Sequence, residues 1–172
     1  SNALTTYAYF RGGEPIGQMR ADEDRRHVTL DEVPQDLINA IIAIEDKDFY
    51  HHPGVDIRGL TRAVLQQVLN SERQTGGSTI TQQLVKLTVL QDNSVTYSRK
   101  AKEILLALRL ERMLSKEEIL TAYLNYIWFS TSANKTQVYG VYAAAKGIFG
   151  KEPLELNLAQ AAYLAGMPQN PA

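Results

Sequence analysis

From Pro34 onward apolar residues recur every three or four positions almost without a break, which predicts a succession of amphipathic helices. The first runs from Pro34, suited to an opening helical turn, to about Phe49. A second covers residues 56–70 and is followed by the polar loop SERQT. A third starts at Ser78 or Thr79, where Thr79 and Gln82 have the spacing of a capping box. A fourth begins near Ser98 and runs through LLALRLERML, and Ser115 with Glu118 opens a fifth through YLNYI. Two more are predicted over 138–149 and 158–165, with Gly150 and Pro168 as stops. Residues 4–33 read differently: Leu4 to Phe10 alternates loosely, GGEP is a turn and ADEDRR a charged loop, giving one or two short strands. The expected fold is mainly α, with a short extended or β segment over 4–33 ahead of a helical domain over 34–172.

Composition narrows the function without naming it. At 172 residues the chain can bury a full core. Its net charge of −1 gives no general reason to bind nucleic acid. With no cysteine, disulfides and thiolate zinc sites are excluded. No apolar run has the length of a membrane span. The opening Ser-Asn-Ala, residues 1–3, reads as a remnant of tag removal and is left out of fold reasoning.

Three stretches carry candidate chemistry. In IEDKDFYHHPG, Glu45 falls on one helical stripe with Ile38, Ile41, Ile42 and Phe49. Burial there disfavours the charged form and suits the group to proton handling. A helix that frays before Glu45, leaving a solvated acid pair with Asp46, fits the pattern equally well. His52 could serve as base or ligand, but a turn histidine making a structural hydrogen bond is the simpler reading.

In TGGSTITQQLVK, two glycines allow close backbone approach, and the following helix start offers unpaired amides that would suit an anion. Thr79, Gln82, Gln83 and Lys86 then form one polar stripe ending in a cation. A solvated helix face is the usual meaning of such a stripe, although such faces favour Glu and Lys over Thr and Gln. The Gly-Lys-Ser/Thr ending of a nucleotide cradle is missing. In SRKAKEILLALRLE, Glu103 shares a face with Leu106, Ala107 and Leu110, within a turn of Arg99, Lys100 and Lys102. Arg109, Glu111 and Arg112 read as ordinary surface charges. Two carboxylates in contrasting settings is an arrangement used in glycosyl chemistry.

These stretches, with KEEILTAYLN, YGVYAAAKGIFGK and LAQAAYLAGMPQNP in order, resemble the glycosyltransferase family 51 domain. That is the polymerase module of bifunctional penicillin-binding proteins and of monofunctional transglycosylases. The resemblance runs from about Val28 to the C-terminus and implies a lysozyme-like helical fold of two lobes around a cleft. It implies polymerisation of lipid II into glycan strands, with inversion and release of undecaprenyl pyrophosphate, at the outer face of the cytoplasmic membrane. Glu45 would be the general base, and Glu103 would act on the pyrophosphate side through a divalent cation (Mg or Mn) or a hydrogen-bond network. Lys86, Arg99 and Lys102 would offset the leaving group's charge. Ser78, Gln82 and Gln83 would line the donor subsites, and Arg62 would reach phosphate or sugar. Asp46, Phe49, His52 and Gly54 would hold the first motif, and Asn125 the floor of the cleft.

The resemblance further implies a membrane-dipping flap over 55–74, an anchor outside this segment and partners among cell-division or elongation proteins. It also implies binding of moenomycin in the cleft, and no organic cofactor. The chain departs from the family pattern at Val95, Ser130 and Tyr142, where a basic residue, Gly and Glu are common. Two rival readings remain at this level. One is a hydrolase or lytic transglycosylase, which needs no cationic pyrophosphate site; the other is a silent glycan-binding or scaffold module.

Overall fold

The computed structural model describes residues 5–9, 15–20, 26–59, 61, 77–90, 96–131 and 137–169. Arg62, Val95 and most of the 55–74 segment lie outside the described residues, as does the larger part of the STSANKTQ loop. At the N-terminus, β1 (Thr5–Tyr9) pairs antiparallel with β2 (Pro15–Arg20), Tyr7 opposite Gln18, as the alternation and the GGEP turn suggest. Among the described residues the remaining regular elements are helices and one further hairpin, giving the mainly α, lysozyme-like fold expected.

Helix α1 (Gln35–Glu45) presents Leu37, Ile38, Ile41 and Ile42 to the core and packs on α6 (Leu158–Gly166) through Ala161, Leu164 and Ala165. It is four residues shorter than its apolar stripe suggests. At Asp46 the backbone leaves helical geometry (φ −163, ψ 73), and Pro34 sits before the first turn as the cap rather than within it. The stop has a physical cause: the Asp46 carboxylate is captured by His52 and by the Ile80 amide, so a non-helical turn satisfies it. Phe49 still reaches the core from that turn and is fully buried.

Helix α2 (Ile80–Val85) opens with the expected capping box: Thr79 Oγ1 accepts from Gln82 N at 3.1 Å, and Gln82 Oε1 accepts from Thr79 N at 3.0 Å. It widens into a π-type turn over Lys86–Leu90. Helix α3 (Tyr97–Met113) is capped by Thr96, and α4 (Lys116–Tyr126) by the Ser115–Glu118 box. α2 packs against both, so it lies between the first motif and the two longer helices.

The helix predicted over 138–149 starts three residues late. Gln137–Tyr139 forms β4, antiparallel to β3 (Trp128–Thr131) with Trp128 opposite Tyr139. Gly140 then turns the chain at φ +82, where an added Cβ would come within 2.7 Å of the Asn125 carbonyl oxygen. Helix α5 (Val141–Ala144) and a π-type turn (Ala145–Phe149) follow, ended by left-handed Gly150 as predicted. α6 ends at Gly166, two residues before Pro168 as predicted, and is followed by a 3-10 turn over Met167–Gln169.

Among the described residues, two clusters of buried apolar side chains hold the fold. The larger joins α1, α4, α5 and α6 around Leu37, Ile41, Phe49, Tyr123, Leu124 and Leu164; the smaller gathers Val55, Val85 and Ala107 where α2 meets α3. Fully burying one such Leu or Ile contributes roughly 1.5–3 kcal/mol. α2 contributes to both clusters, which fixes its polar residues between them.

Candidate active site

The polar stripe of α2 is the hub, and it is not a solvated face. Thr79 and Gln82 are buried, Gln83 is half-buried and Lys86 alone is exposed. Being consecutive on a helix, Gln82 and Gln83 project about 100° apart, so they serve different sides. Gln83 Nε2 donates to Glu45 Oε2 at 2.9 Å, and Gln82 Nε2 donates to Glu103 Oε1 at 3.2 Å. The two acids picked out by the sequence therefore meet on neighbouring residues of one short helix.

Their surroundings contrast as expected. Glu45 closes α1, half-buried, with Oε1 shielded from solvent and without a hydrogen-bond partner among the described residues. It lines an open cavity of about 210 Å³ together with Lys47, Asp48, Asp56, Gly77 and Ser78. Glu103 is only 2 % exposed and receives Arg99 Nη1 at 3.2 Å on Oε2, with the Lys100 ammonium in close contact on Oε1. Lys100 Nζ also donates to Ser78 Oγ at 2.7 Å. Ser78 thus belongs to the cavity on Glu45's side and to the cationic cluster on the other. Arg99 Nε is buried and without a partner among the described residues.

Several site residues sit elsewhere than the sequence suggested. Lys102 is exposed and bonds nothing among the described residues: one position from Glu103, it projects about 100° away from it. Lys100, three positions away and absent from the expected cation set, is the lysine that contacts Glu103. The start of α2 is no open anion site, because the amides of Thr79, Ile80 and Gln82 are already bonded to Gln82 Oε1, Asp46 Oδ2 and Thr79 Oγ1. Asn125, expected to hold the floor of the cleft, is a buried structural residue. Its buried side chain is held by the Val28 backbone, accepting from Val28 N and donating to Val28 O, each at 2.8 Å.

The first motif is held as expected, with partners the sequence did not reveal. His52 Nε2 meets both Asp46 oxygens at 2.9 and 2.8 Å, while Nδ1 accepts from Gly54 N at 3.1 Å; the neutral ring protonated on Nε2 satisfies both. Thr79 Oγ1 donates to Gly54 O at 2.6 Å. Glu111, read as a surface charge, is largely buried, accepting from Thr81 Oγ1 at 2.6 Å and Lys116 Nζ at 2.7 Å. Lys116 Nζ also donates to His52 O and stands 4.5 Å above the Phe49 ring. Tyr142 lies under the Arg26 guanidinium, 5.0 Å from ring centroid, and shares no bond with either acid.

A divalent cation does not fit Glu103 as it stands. Its oxygens are occupied by a guanidinium, an ammonium and an amide N–H, donors that a metal would have to displace. Among the described residues no group of three or more His, Asp or Glu side chains is arranged to hold a metal.

The family model described as Transglycosylase matches residues 12–172. The chain belongs to the transglycosylase family. Among similar proteins, penicillin-binding protein 1A of Rickettsia prowazekii is 41 % identical over 170 residues, covering 97 % of this chain and 21 % of its own length. Penicillin-binding protein 1A of Pseudomonas aeruginosa is 43 % identical over 157 residues, 91 % of this chain and 18 % of its own. That of Clostridium botulinum is 42 % identical over 164 residues, 93 % of this chain and 19 % of its own. The chain thus spans about a fifth of the length of these relatives. Among the described residues no helix is long and apolar enough to cross a membrane.

Proposed function

We propose that this domain is a peptidoglycan glycosyltransferase that polymerises lipid II. The observation that carries the reading is the pairing of Glu45 and Glu103 through Gln83 and Gln82, one acid beside a cavity and the other among cations. Glu45, which lines the cavity, takes the proton of the acceptor's 4-hydroxyl. The freed oxygen attacks the anomeric carbon of the growing chain from the face opposite the pyrophosphate. The carbon–pyrophosphate bond breaks, the configuration inverts and undecaprenyl pyrophosphate leaves with the electron pair. Arg99 and Lys100 offset its charge, with Lys86 as a further exposed cation, an electrostatic contribution of the kind that often dominates catalysis. Glu103 acts through those cations, holding both in place, and no step passes through a metal.

The substrate's lipid places the working enzyme at the outer face of the cytoplasmic membrane, anchored from outside this segment, where division or elongation proteins are its expected partners. A hydrolase of finished peptidoglycan would have no use for the Arg99–Lys100 pair. Incubation with lipid II and, separately, with isolated sacculi decides between them. Polymer from the first and no release from the second is expected; release from sacculi without polymer overturns the proposal. Calorimetric binding of moenomycin that is lost on Lys100→Ala would place the lipid–phosphate–sugar site beside α3.

A further inference from the structure

Gln82 and Gln83 each need their amide turned the right way round, because the carbonyl end would repel the carboxylate it faces. For Gln82 the backbone decides: Thr79 N donates to its Oε1, leaving Nε2 for Glu103. For Gln83 the deciding donor is a side chain. Tyr123 Oη, on α4, donates to Gln83 Oε1 at 3.0 Å, and Gln83 Nε2 then faces Glu45. Tyr123 is completely buried, in sequence it looks like one more core residue of α4, and nothing in the reaction uses it.

We propose that Tyr123 is a positioning residue for the proposed reaction: its hydroxyl locks the Gln83 amide so that the N–H end, and not the carbonyl, meets Glu45. The inference rests on Glu45 being the base. Burial, and then the charges of Glu45 and Asp46, keep the Tyr123 phenol protonated well above the usual tyrosine range, so it stays a donor at any working pH. A phenol that ionised would instead turn the amide over and present its carbonyl to Glu45. The other titratable groups around Glu45 are Asp46, Lys47 and Asp48 of its own segment and Asp56 across the cavity. None of them is bonded to it among the described residues, so Gln83 is its one donor there.

The test compares wild type with Tyr123→Phe, which keeps the ring and removes the hydroxyl. Side-chain amide signals of Gln83, assigned by their loss in Gln83→Leu, should be shifted in the wild type and move toward free-amide positions in Tyr123→Phe. In lipid II polymerisation, kcat should fall roughly tenfold with KM within about twofold, as for loss of one charge-assisted hydrogen bond. The acidic limb of the kcat profile should move to higher pH, because a base without its donor holds its proton more tightly. Gln83→Leu should shift the limb the same way, and the double variant should do no more than either alone. A folded Tyr123→Phe with wild-type Gln83 amide signals, or an unmoved limb, overturns the inference. If Tyr123→Phe does not fold, an unmoved limb in Gln83→Leu does so. An inactive wild type would overturn the glycosyltransferase reading instead, and the amide signals would still decide the positioning role.

Discussion

Gln82 and Gln83 divide two carboxylates between them: one residue of a six-residue helix holds Glu103 and the next holds Glu45. A helix so short has little stability of its own. Its position comes from what surrounds it: Asp46 at the Ile80 amide, Gly54 at Thr79, Glu111 at Thr81 and apolar side chains on both sides. The relation between the two acids is therefore a property of the whole packing around α2. Damage to either acid should produce different symptoms.

Glu45→Gln should abolish lipid II polymerisation while leaving the fold intact. Glu45 is half-buried at a helix end and has one amide donor, so an amide side chain in its place disturbs little. Loss of a general base lowers rates by about 10²–10⁴. Single-turnover kinetics with unchanged circular dichroism checks this, and a rate near wild type would remove Glu45 as the base.

Glu103→Ala should, by contrast, cost stability as well as activity. The carboxylate is buried between Arg99 and Lys100, whose side chains are 14 % and 31 % exposed, and its removal leaves two like charges close together. Breaking such a buried cluster costs about 3 kcal/mol, tempered here by the partial exposure of Lys100. Chemical denaturation should show a lowered midpoint for Glu103→Ala and almost none for Glu45→Gln; equal midpoints would contradict the contrast.

Lys100 and Lys102 provide an internal control. Lys100→Ala should lower kcat/KM by about tenfold or more, since it removes a cation held at the cavity through Ser78. Lys102→Ala should stay within about twofold of wild type, because that side chain is exposed and projects away. The reverse order would mean that donor binding rearranges the start of α3.

The helices were legible because their periodicity and caps agree: Thr79–Gln82 and Ser115–Glu118 close the boxes their spacing suggests. The β3–β4 hairpin was not, since the apolar run YLNYIWF passes from helix to strand with no polar break, and only Gly140 marks the return. Both acids stood out as charges on apolar faces. Lys100 could have been preferred over Lys102 from helical spacing alone, as residues three and four before Glu103 share its side and the one before does not. Lys116 and Tyr123 gave no such signal. The bond from Lys116 to His52 spans 64 residues and that from Tyr123 to Gln83 spans 40, distances no local pattern encodes.

Gly54→Ala should destabilise the first motif. Gly54 has φ +98, and a Cβ there would sit 2.9 Å from the Ala107 carbonyl oxygen and 2.8 Å from Glu111 Cγ. The side chain can yield, but the backbone carbonyl of α3 cannot without moving the smaller core. A loss of about 2 kcal/mol or more is expected, seen as a fall in Tm of roughly 5 °C. A thermal scan indistinguishable from wild type would mean that this turn is more plastic than its bonds to His52 and Thr79 imply.

Alkaline unfolding offers a check on Tyr123 that does not depend on catalysis. A phenol is neutral when protonated, and burial beside Glu45 and Asp46 raises the Tyr123 value in the folded chain above the ordinary value near 10. The folded state therefore holds that proton more tightly than the unfolded state. The stability this provides is fully present below about pH 10 and is lost as pH rises from there through the higher folded value. Tyr123→Phe should be less stable than wild type at neutral pH, through loss of the bond to Gln83, yet should lose stability less steeply above about pH 10. The remaining tyrosines are common to both proteins and cancel in the difference. Denaturation midpoints measured from neutral pH to about pH 11.5 supply that difference, and parallel curves would show that the phenol ionises as freely inside the fold as outside it.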